Sequence, residues 1–318
     1  MATVAHAPQI DCGTAPTVRD CYDLMTVAPA CDIMDFTDGK YLSSRNDRAA
    51  YQAAQELQAE YLLDQAGCQS GTRLLDIGCG YGRILEHARR RGTNAVGITI
   101  SPPQVESCRS RGLDVRELNY RHANNALPEW EHAFDAIIAN GSLEHFVQAE
   151  DAAAGRSDDI YEELFSVCHQ LLVREGRFVT TAIHFSASRQ FDAAAIARGP
   201  RAYSRGSAEF QYAMLVNIFG GWYPEPGQLK RCASEYFELI HEEDGTLDYH
   251  LTSEYWFRRF RWALLTNPRV WLAVARQLRE HPGAAWRMLQ LQIWDQSWAW
   301  QFRPPAPMRL WRQTWQAK

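Results

Sequence analysis

The sequence predicts an α/β fold, a doubly wound, mostly parallel seven-stranded sheet beneath a helical and loop-built cap. Three observations carry this expectation. Short runs rich in apolar or β-branched residues recur through the first 183 positions. The segments between them are long enough for crossover helices. One such run leads straight into a glycine-rich loop followed by a helical pattern.

Taken in order, residues 47–66 place Tyr51, Ala54, Leu57 and Tyr61 at helical spacing and stop at Gly67, a natural C-cap. The strands read as 73–77 (RLLDI), 94–98 (NAVGI), 113–118 (LDVREL), 134–139 (FDAIIA) and 176–183 (GRFVTTAI). Before the fifth run lies the clearest crossover helix, with Asp158 or Asp159 as its cap and Ile160, Leu164, Val167, Cys168 and Leu171 on one face. The Gly155 region ahead of it reads as a surface insertion. Beyond residue 184 the character changes to Arg, Ser, Gly and aromatics, a loop-rich cap reaching residue 234. Residues 235–241 read as a sixth strand, 253–300 as helices, and 308–315 as a terminal strand returning to the sheet.

Composition narrows the class. With 318 residues, 46% hydrophobic and 22% charged, the chain buries a full core and is not a disordered one. A net charge of −5 does not suit a protein held by phosphate backbones, so nucleic acid is not an expected partner. No window approaches the roughly 18 apolar residues of a membrane span. The first twenty residues carry no basic and apolar secretion pattern. The eight cysteines show no CxxC pair and no zinc spacing, so free thiols, no metal site and a cytoplasmic protein are expected.

The glycine loop, Asp76-Ile77-Gly78-Cys79-Gly80-Tyr81-Gly82, sits where a nucleotide-like cofactor approaches backbone and helix N-terminus. Two features argue against a dinucleotide: the spacing is GxGxG rather than GxGxxG, and the second strand ends in Gly97-Ile98-Thr99-Ile100-Ser101 rather than in an acid.

DxGxGxG in this context resembles motif I of the Rossmann-like class I S-adenosylmethionine methyltransferases. Further segments are similar to the cyclopropane fatty acid synthases. These are Gly97–Ser101 followed by Gln104, Asn119-Tyr120-Arg121, Gly141-Ser142-Leu143-Glu144-His145-Phe146, Tyr22-Asp23, Leu247–Thr252 and the closing MRLWRQTW. The resemblance implies that Asp76, Gly78 and Gly80 meet the methionine part of S-adenosylmethionine. It implies Thr99, Ser101 and Gln104 at the ribose, and Asn119 and Tyr120 beside the adenine. Residues 1–66 would then cover the cofactor site, 67–183 form the binding core, 184–234 the substrate cap, and 235–318 complete sheet and cap with Trp-rich helices. Glu144 is the implied catalytic carboxylate, with Tyr249 beside it and Tyr22 lining the acceptor cavity.

The departures are informative. The family's bicarbonate-site cysteine falls near Gly39 and its histidine at Thr181, so bicarbonate is left open as a participant. His184, three residues beyond Thr181, joins the site only if the strand ends at Ile183. The expectation is therefore methyl transfer to an alkene carbon of an apolar lipid, fatty acyl or isoprenoid-like acceptor through a carbocation. The alternatives are cyclopropane closure on unsaturated acyl chains, a nicotinamide-dependent oxidoreductase, and a non-catalytic cofactor binder.

Nine of the eleven tryptophans lie from Trp256 onward. Trp256, Phe260, Ala263 and Leu264 share one helical face, which reads as core, with Arg258, Arg259 and Arg261 as its solvated side. Peripheral membrane contact is the alternative for this stretch.

Overall fold

The computed structural model describes residues 31–33, 36–280 and 282–318. Helix α1 (Arg48–Gln65) starts where the Asp47 side chain accepts the Ala50 N–H, and it buries Tyr51, Ala54, Leu62 and Leu63. Strand β1 (Arg73–Ile77), helix α2 (Arg83–Arg90), β2 (Asn94–Thr99), α3 (Pro102–Ser110), β3 (Val115–Glu117) and β4 (Phe134–Asn140) follow as the sequence pattern requires. After α4 (Ser157–Leu171) the chain enters β5, which runs over Leu172–Phe185.

Two local expectations change. Helix α4 begins at Ser157 with Arg156 at its N-cap, so Asp158 and Asp159 lie in the first turn. Their charge still favours the helix N-terminus there. The span 184–234 also contains α5 (Ala208–Phe219), capped by Ser207 and buried on nearly every side from Phe210 to Leu215. A helix apolar all round has no polar face to give it a helical period, which is why the sequence reads as irregular there.

Strand β6 (Phe237–Asp244), helices α6 (Thr246–Thr266), α7 (Pro268–Glu280) and α8 (Pro282–Leu289), and strand β7 (Met308–Ala317) complete the chain. The seven strands form one sheet in the order β3-β2-β1-β4-β5-β7-β6. Strands β1 to β5 pair in parallel, and β7 inserts antiparallel between β5 and β6. The order reverses between β1 and β4, the crevice where such sheets hold ligands at the carboxyl ends of their strands.

Ring contacts among Phe165, Phe178, Phe237 and Trp315 fill the space between α4 and the late strands. Beneath the opposite edge, Arg312 of β7 is buried and pairs with Asp38 at 2.7 Å, Asp248 at 2.7 Å and Glu243 at 3.2 Å. That cluster ties the segment before α1, the start of α6 and the sheet together. The Trp256 Nε1–H donates to the Tyr51 hydroxyl at 2.9 Å, fixing α6 on α1. All six cysteines among the described residues are free and buried.

Candidate active site

Two adjoining cavities open at the carboxyl ends of β1, β2, β4 and β5. The larger, about 580 Å³, is lined by all eight residues expected at a cofactor: Asp76, Gly78, Gly80, Thr99, Ser101, Gln104, Asn119 and Tyr120. Its size lies within the usual range for small-molecule sites.

The loop is built for close approach. The N–H groups of Gly78 and Cys79 donate to the Ile98 carbonyl at 2.9 and 3.0 Å, which turns the chain sharply at the end of β1. Gly78 has φ +76°, and a Cβ there would stand 2.7 Å from the Ser142 Cβ. At Gly97 a Cβ would meet the Cys79 sulfur at 2.7 Å, so β2 packs against the loop only as glycine.

Asp76 is buried at the end of β1, and its Oδ2 has no hydrogen-bond partner among the described residues. Burial, with a smaller contribution from nearby Cys108, pushes its carboxyl up to about 8. The Ser101 hydroxyl is likewise buried without a partner. Orphaned acceptors and donors around a glycine cradle fit a polar ligand carrying a cationic amine and hydroxyls, as S-adenosylmethionine does. Thr99 donates to Gln104 at 2.7 Å, so the two hold each other at the cavity wall. The Asn119 side chain accepts from the Arg121 N–H, and the Tyr120 ring lies 4.5 Å from that of Phe146. Burial raises the Tyr120 hydroxyl to about 12.

The smaller cavity, about 50 Å³, holds Glu144 and Tyr249 with Thr181, Ile183, Tyr212, Phe219 and Trp298. Glu144 Oε1 accepts the Ile183 N–H at 2.7 Å, while Oε2 has no partner among the described residues. Burial pushes this carboxyl up to about 7. The Tyr249 ring stacks on Phe302 at 4.4 Å.

His184 is not brought to the site. Strand β5 continues to Phe185, so Thr181 and Ile183 face the cavity and His184 points to the opposite side of the sheet. It is buried there, and desolvation lowers it to about 4. Tyr22 lies outside the described residues.

Two residues not singled out from sequence line both cavities: Asn140, whose Oδ1 accepts from the Thr181 hydroxyl at 2.7 Å, and His145, lowered to about 4 by burial. Asn140 ends β4 at the reversal of strand order and His145 follows Glu144 in the family-like segment, which were the available signals.

The small cavity does not fit bicarbonate. Among the described residues its lining carries no lysine or arginine, Asp38 already engages Arg312 at 2.7 Å, and burial lowers His145 to about 4, so no cation is left to hold the anion. A Cβ on Gly39 would come 2.8 Å from the Ala54 Cβ, which leaves no room for a cysteine. Among the described residues no group of three or more His, Cys, Asp or Glu could hold a metal ion, and no helix is long and apolar enough to cross a membrane.

Comparison with known proteins bears on the family and the fold. The model of the mycolic acid cyclopropane synthetase family matches residues 40–267. Cyclopropane mycolic acid synthase 1 of Mycobacterium tuberculosis is 28% identical over 193 residues, 59% of this chain and 61% of that protein. The aligned region thus spans about three fifths of that relative. Among solved structures, a cyclopropane synthase from Mycobacterium tuberculosis superposes with a TM-score of 0.72 at 19% identity, covering 96% of this chain and 99% of that one. A geranyl diphosphate C-methyltransferase from Streptomyces coelicolor superposes with a TM-score of 0.60 at 18% identity, covering 96% and 99%. Because the family model matches residues 40–267, well over half of its length, this chain belongs to the mycolic acid cyclopropane synthetase family.

Proposed function

We propose that the protein is an S-adenosylmethionine-dependent C-methyltransferase acting on an alkene carbon of an apolar lipid, fatty acyl or isoprenoid-like acceptor. One observation carries the reading: the Oε2 of Glu144, without a hydrogen-bond partner among the described residues and buried among aromatic rings next to the cofactor cavity. When bound, S-adenosylmethionine would supply an electrophilic methyl group, its bond to the sulfonium sulfur breaking and S-adenosylhomocysteine departing as the neutral leaving group.

Asp76 and the Gly78–Gly80 backbone hold the methionine end, and the Thr99–Gln104 pair and Ser101 hold the ribose. Tyr120 and Asn119 border the adenine. Tyr249, Phe219 and Trp298 shape an apolar pocket that excludes water, which would trap a cation. As the alkene π-electrons form the new carbon–carbon bond, positive charge develops on the neighbouring carbon. The Glu144 carboxylate and the ring faces stabilise it. Glu144 Oε2 then takes the proton whose departure restores an alkene. A carboxyl raised to about 7 is well matched to that task at neutral pH. The lack of a lysine or arginine among the described lining residues of the small cavity argues for a protein base in place of bicarbonate.

The family match favours a second reading, cyclopropane closure, in which the proton leaves the newly added methyl and the ring closes. Incubation with methyl-labelled S-adenosylmethionine and a lipid and isoprenoid extract, followed by mass and hydrogen count of the labelled product, separates the two. A gain of CH₂ with the double bond kept supports C-methylation. The same gain with the double bond lost means ring closure. No apolar labelled product refutes both.

A further inference from the structure

The tryptophan-rich helices carry a surface that the active site does not use. Trp256, Ala263 and Leu264 of α6 are buried, and Phe260 packs against them. The other side of the same helices is exposed and apolar: Trp262 (58%), Leu265 (82%), Trp271 (55%), Leu272 (72%), Trp286 (54%) and Trp294 (51%). These six are most of the large exposed apolar side chains among the described residues. On α7 the inward stripe is Val270 and Val274, and the outward stripe sets Leu272 among Arg269, Arg276 and Arg279. The Trp271 Nε1–H is spent on the Leu264 carbonyl at 2.6 Å, leaving the ring itself to face outward.

Charge is as uneven as hydrophobicity. Residues 255–294 contain seven arginines, no lysine and one acid, Glu280, in a chain whose net charge is −5. Glu280 pairs with Arg276 and Arg279, whose side chains remain 72% and 82% exposed. An isolated solvated face would not gather six large apolar side chains between these arginines. A self-associating face would bring the same cationic patch against its own copy in a two-fold dimer and repel it.

We infer that the outer face of α6, α7 and α8 is a docking surface for an anionic lipid bilayer. Indole rings and leucines enter the headgroup and upper acyl region, and arginines pair with lipid phosphates. Helix α6 has Tyr249 at the acceptor cavity and Trp262 on the docking face, about 20 Å apart along the helix. Docking therefore brings the acceptor cavity near the lipid surface. The inference stands on the exposed surface and holds whatever the acceptor is.

The test is co-sedimentation of the full chain with vesicles of phosphatidylcholine alone and of phosphatidylcholine with phosphatidylglycerol. Binding is expected only with phosphatidylglycerol, and it should fall steeply as NaCl is raised. Arg276→Gln with Arg279→Gln should weaken binding by on the order of tenfold or more. Trp271→Ser with Leu272→Ser should weaken it independently of salt. Since the arginine pair is exposed, that variant is expected to keep its melting temperature and its S-adenosylmethionine affinity, which separates lost docking from lost folding. Equal binding to both vesicle types, no binding to either, or a solution dimer dissolved by the same substitutions would overturn the inference.

Discussion

Replacing Glu144 by Gln separates the chemistry of this carboxylate from what it costs the fold. Burial raises the carboxyl from 4.5 to about 7, so between those values the folded protein holds a proton that the unfolded chain has released. Where the native state binds more protons, stability falls as pH rises. The destabilisation is thus absent well below pH 4.5, grows through the window and is complete above about pH 7. A rise of this size corresponds to about 3 kcal/mol. Glutamine has the same size, keeps an oxygen for the Ile183 N–H and carries no charge at any pH. Between pH 5 and pH 8 the variant is expected to gain about 2 kcal/mol relative to the wild type, on the order of 5 °C in Tm. Asp38 and Asp76, raised to about 6 and 8, fall out of the comparison because both proteins carry them. The assay is thermal denaturation of both proteins at the two pH values without cofactor, followed by methyl transfer at pH 7.5. Turnover should drop by about 10² to 10⁴. A stability difference that does not change with pH would refute the buried-carboxyl argument, and unchanged turnover would refute the base.

Asp76→Asn should weaken S-adenosylmethionine binding about tenfold or more, because a buried carboxylate raised to about 8 is poised to pair with a cationic amine. Calorimetry should also show wild-type affinity rising from pH 6 to pH 8 and the variant losing that dependence. Gly97→Ala forces a Cβ to within 2.7 Å of the Cys79 sulfur, so a loss of about 1–3 kcal/mol in denaturant unfolding and weaker cofactor binding are expected together. Arg312→Ala leaves Asp38 and Asp248 without their cation, while Glu243 keeps Lys40, and should cost about 3–5 kcal/mol, measured by urea titration at pH 7. Turnover in carbon-dioxide-depleted buffer should equal that with added bicarbonate, and a dependence on bicarbonate would show that the small cavity takes the anion after all.

The cofactor half of the site was largely legible because each of its residues is local to one strand end. Asp76, Gly78 and Gly80 follow β1, Thr99 and Ser101 follow β2, and Asn119 and Tyr120 follow β3, so identifying the strands places them together at one edge of the sheet. Glu144 was legible from its motif after β4. The smaller cavity was not. Tyr249 lines the same cavity as Glu144 only because α6 folds back from the far edge of the sheet, and Trp298 and Phe219 come from separate helices. His145 stands in the same family-like segment as Glu144, whereas Asn140 carries no sequence signal of its own beyond closing β4.

Chemistry at strand ends, glycine positions demanded by positive φ, and the alternation of apolar runs were determined by sequence alone, since each depends on neighbours a few residues away. Three features were decided only by the tertiary structure. Extension of β5 to Phe185 turned His184 away from the cavity, because pairing with β7 keeps the strand regular through Met308. Helix α5 formed where the sequence reads as loop, because the surrounding rings bury its stretch from Phe210 to Leu215 on nearly every side. Finally, the tryptophan helices divided between a core face and an exposed face. Their outward side chains are fixed by which side of each helix meets the sheet and α1, a choice made by packing across more than 200 residues of sequence, as between Trp256 and Tyr51.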